Sequence, residues 1–419
     1  MDEDEPTLTF LDEPSDHAKT AAESAEPDLV IDDDDRYGRL RLIPWWRQER
    51  LAAAKVLVVG AGALGNEAIK NLALLGVGTT YVIDFDEVEP SNLSRSVLFR
   101  ASDGGRAKAV VAAERAREIN PEISVVPIHG DVITDLGLGL FADVDVVIGC
   151  LDNREARLWV NRQCWKVGTP WVDAGIQEIQ GVVKVFDPRL AGTACYECAM
   201  TARDYQLLNL RSSCPMLRRD QILEGKVPTA PTIASMMAAL EVQEALKLIH
   251  GLPVAPGTAM VFNGVSNQFY TTLLPYREEC LSHETYPAPT PLPLGHDAPG
   301  SALFEAARQT LAGALTLSLE RDLVVAIDCP RCGWRAQVLR PRSRVAMSEA
   351  ECPHCHEPGR PETVSAIEAG SPLAGMSLSC LGIPPYDIVR VDGEERSGFF
   401  LLSGDRAGRE TGWAGRSGD

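Results

Sequence analysis

The sequence predicts an α/β protein with a Rossmann-like, doubly wound and mostly parallel sheet that has a zinc-bound end, followed by a small C-terminal zinc-ribbon domain. Short apolar runs rich in β-branched residues alternate with segments of helical length, which is the pattern of parallel strands joined by crossover helices. A glycine-rich turn directly follows the first run, where such sheets bind nucleotides. Cysteine pairs with the spacing of zinc ligands occur further along the chain.

The predicted elements follow one another in a regular order up to Gly181. The first strand is the run Val56 to Val59, and the glycine turn leads from it into a helix. Strands and helices then alternate through TTYVIDFD, GGRAKAVVAAERAREIN, SVVPIHG, VDVVIGCLDN, REARLWVNRQCWKVG and PWVDAGI. The second of these segments ends before Pro121, because a residue that precedes proline is pushed out of the α region.

The pattern changes after Gly181. A strand, GVVKVFDP, precedes an irregular section at 199–230. The segment TIASMMAALEVQEALKLIHG then predicts a long helix that ends at Gly251, and TAMVFNGVSNQFYTTLL predicts a pair of strands. Five prolines in the next stretch indicate a stiff linker. The predicted organisation is an acidic disordered tail at 1–35, the α/β domain at 36–283, the linker at 284–300, a ribbon-containing domain at 301–402 and a disordered tail at 403–419.

The charge is distributed unevenly along the chain. The formal net charge is −19, and residues 1–35 contribute fourteen acidic side chains against one lysine. Such a segment buries too little apolar surface to offset the entropy of ordering, so we expect it to be disordered. No basic surface indicates nucleic-acid binding. The absence of a signal-peptide pattern and of a long apolar run predicts a cytoplasmic protein without a membrane span.

A candidate nucleotide site begins at the glycine turn, which reads Gly60-Ala61-Gly62-Ala63-Leu64-Gly65. Glycines let a phosphate or ribose approach the backbone, and the following helix offers free N–H groups. Asp84 ends the second strand, where a carboxylate can hold ribose hydroxyls. These features alone fit a dinucleotide-dependent dehydrogenase equally well.

The residues after the second strand favour a triphosphate. The stretch DFDEVEPSNLSR brings Asp86, Asn92 and Arg95 close to Asp84, and Lys108 begins the next helix. Positively charged side chains such as Arg95 and Lys108 are needed to neutralise the charge of a triphosphate as pyrophosphate leaves. A dehydrogenase does not need such side chains at this position. Asp152 and Asn153 follow another strand at the same edge of the sheet, and an aspartate there can hold Mg²⁺ beside phosphates.

These motifs together resemble the ThiF/MoeB family, which includes the ubiquitin-activating enzymes. GAGALG, DFDEVEPSNLSR, Lys108 and CLDN carry the resemblance, which covers about residues 36–283. The resemblance implies that Asp84 binds the ribose, that Asn92, Arg95 and Lys108 bind the triphosphate, and that Asp152 binds the metal. Members of this family act as homodimers or heterodimers, and one arginine reaches the partner subunit's ATP. This chain keeps both the site residues and a candidate for that arginine, which suits a homodimer. That arginine maps to Arg39 in RYGRLR, where Leu40 replaces the family's glutamine and leaves Arg36 and Arg41 as alternatives.

Two sets of four residues are candidate zinc ligands. The pairs Cys195/Cys198 and Cys280/His283 suit a tetrahedral structural site, and the family commonly pairs two C-x-x-C motifs here, with His283 in place of a cysteine. The pairs Cys329/Cys332 and Cys352/Cys355 have the spacing of a zinc ribbon. The ribbon could stabilise a small domain or dock a protein substrate.

Four cysteines remain outside these sets, and Cys214 is the candidate nucleophile among them. Arg211, Arg218 and Arg219 surround it in a polar segment, and cations favour the thiolate. Family members often carry a cysteine on the loop above the adenylate, and many place it directly before a TIAS-like helix start. That position is Pro231 here, so an unreactive loop cysteine remains the alternative.

The resemblance implies an enzyme that uses ATP and Mg²⁺ to adenylate the C-terminal carboxylate of a small ubiquitin-like or sulfur-carrier protein ending in Gly-Gly. Transfer to Cys214 as a thioester would follow, with a conjugating enzyme or a sulfurtransferase as a further partner. The first alternative is adenylation for a sulfur carrier without a covalent cysteine intermediate. An alternative of another class is a non-catalytic binding scaffold, against which the intact set of candidate site residues argues.

Overall fold

The computed structural model of the chain describes residues 34–206 and 228–406. Cys214 and its neighbouring arginines lie outside the described residues, as do most of the predicted tails. The described residues belong to two compact units, one within residues 1–46 and the other within residues 47–419. In the first unit, a short 3₁₀ turn spans Leu40–Leu42.

The larger unit is organised around an eight-stranded sheet with the strand order β3-β2-β1-β4-β5-β6-β7-β8. β1 to β5 are parallel to one another, and β6 to β8 continue the sheet in antiparallel pairs. The mixed sheet with its covering helices confirms the α/β part of the predicted fold class. The strands are β1 Lys55–Val59, β2 Thr79–Asp84, β3 Ser124–His129, β4 Val146–Gly149, β5 Trp171–Gln177, β6 Gln180–Phe186, β7 Thr258–Asn263 and β8 Gln268–Leu273.

Helices cover the sheet, and three of them end at glycines. The helices α2 (Ala63–Leu75) and α5 (Arg154–Val167) end at Gly76 and Gly168, and the long helix α6 (Pro231–His250) ends at Gly251. All three glycines have the left-handed conformation that glycine adopts without strain. Each connection of parallel strands requires a crossover, which these helices supply. The helices are α1 Gln48–Ala53, α2 Ala63–Leu75, α3 Lys108–Ile119, α4 Leu138–Asp143, α5 Arg154–Val167 and α6 Pro231–His250.

The core lies between the sheet and these helices. The central strands β1 and β4 are buried nearly throughout, because helices cover both faces of a parallel sheet. Trp171 of β5 and Phe186 of β6 stack with ring centroids 4.9 Å apart and anchor the cluster on the side of α4 and α5.

A second, six-stranded sheet follows α6 and the hairpin of β7 and β8. Its order is β11-β10-β13-β14-β9, and β12 pairs with β10. β9 lies within the predicted linker at 284–300 and pairs in parallel with β14. The elements are β9 Thr290–Leu292, α7 Gly300–Ala307, β10 Thr316–Asp328, β11 Arg335–Pro341, α8 Met347–Ala350, β12 Arg360–Glu368, β13 Ile388–Asp392 and β14 Ser397–Leu402.

The second sheet is attached to the first through an irregularity in β10. The register of β10 shifts between Ser318 and Leu323, and Arg321 lies in this bulge. Its guanidinium lies 4.6 Å from the ring centroid of Trp159 on α5 and 3.8 Å from the carboxylate of Asp387. Asp387 also accepts a 2.6 Å hydrogen bond from the backbone N–H of Leu138 at the start of α4. A buried cation with these partners joins both sheets into one compact unit.

Candidate functional site

The glycine turn between β1 and α2 is closely packed on one side and open on the other. Gly60 has φ +98°, and a Cβ there would lie 2.4 Å from the carbonyl oxygen of Cys150. A Cβ on Gly65 would lie 2.0 Å from the carbonyl oxygen of Gly60. By contrast, a Cβ on Gly62 would meet nothing within 4 Å. Gly60 and Gly65 therefore allow backbone segments to pack closely where a side chain would clash. Gly62, by contrast, borders open space that a ligand could occupy.

Asp84 holds the glycine turn from the end of β2. Its carboxylate accepts hydrogen bonds of 2.7 Å from the backbone N–H groups of Ala61 and Asp86. Burial raises the pKa of Asp84, and the nearby charge of Lys108 opposes this increase. The structure thus places the carboxylate of Asp84 against the glycine turn.

The predicted phosphate-binding residues lie on the segment after β2. Lys108 is buried at the start of α3, and its Nζ lies 2.8 Å from the carboxylate of Asp86. Arg95 donates a 2.7 Å hydrogen bond to the carbonyl of Ser91. Asn92 accepts a 2.9 Å hydrogen bond from the backbone N–H of Glu89 and closes a short turn. The side chain of Asn92 thus stabilises a backbone turn, and the positively charged side chains on this segment are those of Lys108 and Arg95.

Asn66 is not among the residues that the sequence motifs indicate, although it connects the glycine turn to the backbone at Leu98. Its Nδ2 donates to the carbonyls of Ala61 and Gly62 at 2.7 and 3.0 Å, and its Oδ1 accepts from the backbone N–H of Leu98 at 2.9 Å. The side chain is fully buried. A buried asparagine in the first turn of an apolar helix was the available signal, because a buried amide requires hydrogen-bond partners.

Asp152 and Asn153 lie between β4 and α5, at the same edge of the sheet as the glycine turn. Asn153 caps α5 by accepting a 2.8 Å hydrogen bond from the N–H of Ala156. Its Nδ2 also donates to Asp152 Oδ1 at 3.3 Å. The carboxylate of Asp152 is exposed, and oxygen ligands of this kind fit Mg²⁺.

The first predicted metal cluster is assembled in the structure from two distant parts of the chain. Cys195 Sγ lies 3.7 Å from Cys198 Sγ and 3.6 Å from Cys280 Sγ, and Cys198 Sγ lies 3.4 Å from His283 Nε2. Tetrahedral zinc with bonds to sulfur of about 2.3 Å separates its sulfur ligands by about 3.8 Å. The four residues therefore fit zinc and could bind it.

The surroundings of this cluster hold its ligands in place. The ring of His283 stacks on Trp165 and Tyr276, with centroids 5.3 and 5.5 Å away. Burial lowers the pKa of His283, which favours the neutral imidazole that binds a metal. Glu197 is buried beside the cluster and accepts hydrogen bonds from Ser282, next to His283, and from Arg162 of α5. Such outer contacts orient ligands in metal sites.

The second cluster lies in the six-stranded sheet. Cys329 Sγ and Cys355 Sγ are 3.4 Å apart, Cys332 Sγ and Cys352 Sγ are 3.5 Å apart, and Cys355 Sγ and Cys332 Sγ are 3.8 Å apart. Backbone N–H groups, that of Cys332 first, lower the pKa of Cys329 to about 6. A thiolate with three more thiols at these distances also fits zinc.

The remaining candidate residues are either exposed or packed in the core. Arg39 is exposed in the first unit, and Arg41 pairs with Asp35 at 2.9 Å. Cys150 and Cys164 are buried, and burial raises the pKa of both thiols well above the ordinary value. Cys164 packs as a small apolar side chain, and the thiol of Cys150 donates a 3.5 Å hydrogen bond to the carboxylate of Glu241. No helix in the described ranges combines the length and hydropathy needed to cross a bilayer.

The fold and the strand-end residues define an α/β protein with a candidate nucleotide site at the carboxyl edge of its sheet. The chain belongs to the ThiF family, whose sequence model matches residues 35–282, and this confirms the resemblance seen in the motifs.

Three curated proteins illustrate the similarity. The chain is 32% identical over 264 residues to the adenylyltransferase and sulfurtransferase uba4 of Aspergillus fumigatus, covering 60% of this chain and 51% of that protein. It is 38% identical over 151 residues to SUMO-activating enzyme subunit 2 of Dictyostelium discoideum, covering 36% and 22%. It is 30% identical over 233 residues to the sulfur carrier protein ThiS adenylyltransferase of Escherichia coli, covering 56% and 87%. The chain thus spans about half, or less, of the first two proteins.

Proposed function

We propose that this protein is an ATP-dependent adenylyltransferase that activates the C-terminal carboxylate of a small ubiquitin-like or sulfur-carrier protein. The observation that carries the proposal is the convergence of Gly62, Asp84, Lys108 and Asp152 on one edge of the sheet. Membership of the ThiF family and the three similar proteins support the same activity. A non-catalytic scaffold would not need an open glycine turn beside buried and exposed charges.

The proposed reaction transfers AMP to the carrier. An oxygen of the carrier's terminal carboxylate attacks the α-phosphorus of ATP, the bond from that phosphorus to the bridging oxygen breaks, and pyrophosphate leaves. Asp84 holds the ribose, while Arg95 and Lys108 compensate the charge that develops on the leaving pyrophosphate. Asp152 would hold Mg²⁺, which supplies further neutralisation of phosphate charge. The product is a mixed anhydride, activated for attack by a thiolate.

The second proposed step uses Cys214. Its thiolate attacks the acyl carbon of the adenylate, AMP leaves, and a thioester forms. The alternative is adenylation without a covalent intermediate, in which a separate sulfurtransferase takes the activated carrier. Similar proteins include both sulfur-carrier and SUMO-activating enzymes, so the identity of the carrier stays open.

The remaining parts of the proposal concern assembly. We propose that both cysteine-containing clusters bind structural zinc, and that the ribbon cluster either stabilises the second sheet or docks a protein partner. We also propose a homodimer in which Arg39 reaches the partner's ATP, with Arg36 and Arg41 as the alternatives. Eleven cysteines, most of them in these clusters, suit a cytoplasmic, reducing environment.

Pyrophosphate release tests the first step. The protein is incubated with ATP, Mg²⁺ and either ThiS or SUMO as the carrier probe. We expect carrier-dependent release, and Asp152→Ala should reduce it at least about a hundredfold because it removes a metal ligand. Asp322→Ala is the matched control, since Asp322 is also an exposed carboxylate but lies on β10. Release that is absent with both carriers would count against the proposal, and unchanged release in Asp152→Ala would remove its metal assignment.

A carrier–enzyme adduct that a thiol reagent cleaves tests the second step. The adduct should form with ATP and disappear in Cys214→Ser, while pyrophosphate release persists. Cys380→Ser is the control, because Cys380 is an exposed free cysteine that lies in the second sheet's connections. An adduct that survives in Cys214→Ser would contradict the assignment, and pyrophosphate release without any adduct would favour adenylation alone.

A further inference from the structure

A cluster of buried charged groups lies beneath the strand ends that form the candidate site. Asp173 on β5 is only 1% exposed, and its carboxylate lies 2.8 Å from Arg157 Nε and 3.6 Å from Lys184 Nζ. Asp173 is in register with Gly149 at the end of β4, and Gly149 is in register with Val59 at the end of β1. Asp173 therefore lies at the same height in the sheet as Val59, which precedes the glycine turn, and as Gly149, which lies at the end of the strand before Asp152.

Arg157 also donates hydrogen bonds to the backbone. Its Nη2 donates to the carbonyl of Ala174 at 3.0 Å and to the carbonyl of Leu151. One guanidinium thus joins a carboxylate on β5, the backbone of β5 and the backbone of the loop after β4. Arginine suits this task because its donors form a rigid planar fork.

The contact with Leu151 bears directly on the candidate metal ligand. Leu151 precedes Asp152, and Asn153 on the other side is held as the cap of α5. The exposed Asp152 thus lies between Leu151, whose carbonyl is held by Arg157, and Asn153, which is held as the helix cap. Arg157 in turn is oriented by Asp173, which is buried and cannot exchange its partner for water.

We propose that Arg157 and Asp173 are positioning residues that fix the loop of Asp152 for metal binding; this rests on the proposed adenylation activity. Their contribution resembles that of outer contacts in metal sites, where removing one such contact weakens metal binding by about 10- to 100-fold. Lys184 balances the second oxygen of Asp173, so the cluster holds two cations for this carboxylate.

The electrostatics agree with the geometry. Burial acts to lower the pKa of Arg157, but the charge and hydrogen bond of Asp173, together with the charges of Tyr196 and Asp152, raise it overall. The guanidinium of Arg157 therefore stays charged. It attracts the carboxylate of Asp152 and also holds the backbone carbonyl of the preceding residue, Leu151. Burial lowers the pKa of Lys184, and Asp173 opposes that decrease.

The variant Asp173→Asn tests the inference with two readouts. In the protein without nucleotide or metal, hydrogen exchange of the amides of Asp152 and Asn153 should become faster. In pyrophosphate release, the Mg²⁺ concentration for half-maximal rate should rise about tenfold, and saturating Mg²⁺ should restore most of the rate. The matched control is Asp187→Asn, another buried aspartate that pairs with an arginine, Arg189, at 2.7 Å but away from this loop.

The outcomes separate this inference from the proposed function. If the wild-type protein binds Mg²⁺–ATP and releases pyrophosphate but Asp173→Asn shows unchanged exchange and unchanged Mg²⁺ dependence, the positioning role is wrong. If the wild-type protein releases none, the proposed function fails first, and the exchange measurement still tests the anchoring. Should Asp173→Asn fail to fold, Arg157→Lys serves, because it keeps the charge but cannot reach all three acceptors.

Discussion

Gly62 and Gly65 belong to the same turn, yet a methyl group added to each would meet different surroundings. At Gly65 the new Cβ would lie 2.0 Å from the carbonyl oxygen of Gly60 and 3.6 Å from the Cβ of Cys150. At Gly62 it would meet no atom within 4 Å, and the backbone there has φ −75°, which alanine adopts. Substitution by alanine at the two positions therefore separates the stability of the turn from its ligand binding.

The expected magnitudes follow from these distances. Gly65→Ala forces the backbone of the turn apart, so we expect a loss of about 3 kcal/mol in the free energy of unfolding, the upper end of the usual cost of overpacking. Gly62→Ala should change that free energy by about 1 kcal/mol or less, as for alanine in place of glycine at the start of a helix. Its methyl group would occupy the open side, and we expect ATP binding to weaken at least about tenfold, or about 1.4 kcal/mol.

Two measurements check the prediction. Chemical unfolding without nucleotide compares stability, and calorimetric titration with Mg²⁺–ATP compares affinity. Gly370→Ala serves as control, because Gly370 also has open space around it but lies in the second sheet's connections. The reasoning is refuted if Gly62→Ala binds ATP like the wild type, since the ligand then does not approach at Gly62. Wild-type stability of Gly65→Ala would refute the packing argument.

Two further predictions concern a buried acid and the ribbon cluster. Burial raises the pKa of Glu241 well above its ordinary value, so this carboxyl keeps a proton in the folded protein that it loses in the unfolded chain. The contribution of Glu241 to the free energy of unfolding should therefore fall as pH rises above about 4.5, by at most about 1.4 kcal/mol per pH unit. The advantage of Glu241→Gln over the wild type in urea unfolding should therefore grow from pH 5 to pH 8, and a constant difference would contradict this. Cys355→Ser should reduce bound zinc from about two ions per chain to about one by mass spectrometry, whereas Cys380→Ser should not; a wild-type zinc content in Cys355→Ser would exclude the ribbon site.

Much of the fold and of the candidate site could be predicted from local patterns. The β-branched run of β1, the glycine turn and the strand of Asp84 each lie within a few residues, so spacing alone indicates their structure. The same holds for the two C-x-x-C pairs of the ribbon. The predicted roles of Arg39 and Cys214 stay predictions, because Arg39 lies in the smaller unit and Cys214 lies outside the described residues.

Other features depend on contacts between distant residues, and a local pattern does not show which partners those residues meet. Asn66 connects the glycine turn to Leu98, and Arg157 connects the loop of Asp152 to β5, because buried polar groups must find partners wherever the fold brings them. The strand β9 joins the second sheet although its sequence indicates a linker, since backbone pairing with β14 satisfies its hydrogen bonds.

The sequence by itself determined the α/β class, the glycine turn and the residue types of the candidate site, because these follow from periodicity and short spacing. Only the tertiary structure decided which of those residues meet. Cys195 and Cys280 are 85 positions apart, and they come within 3.6 Å because β6, β7 and β8 extend the sheet past β5. Burial and strand pairing act over any separation in the chain, whereas a sequence pattern reports only on neighbours.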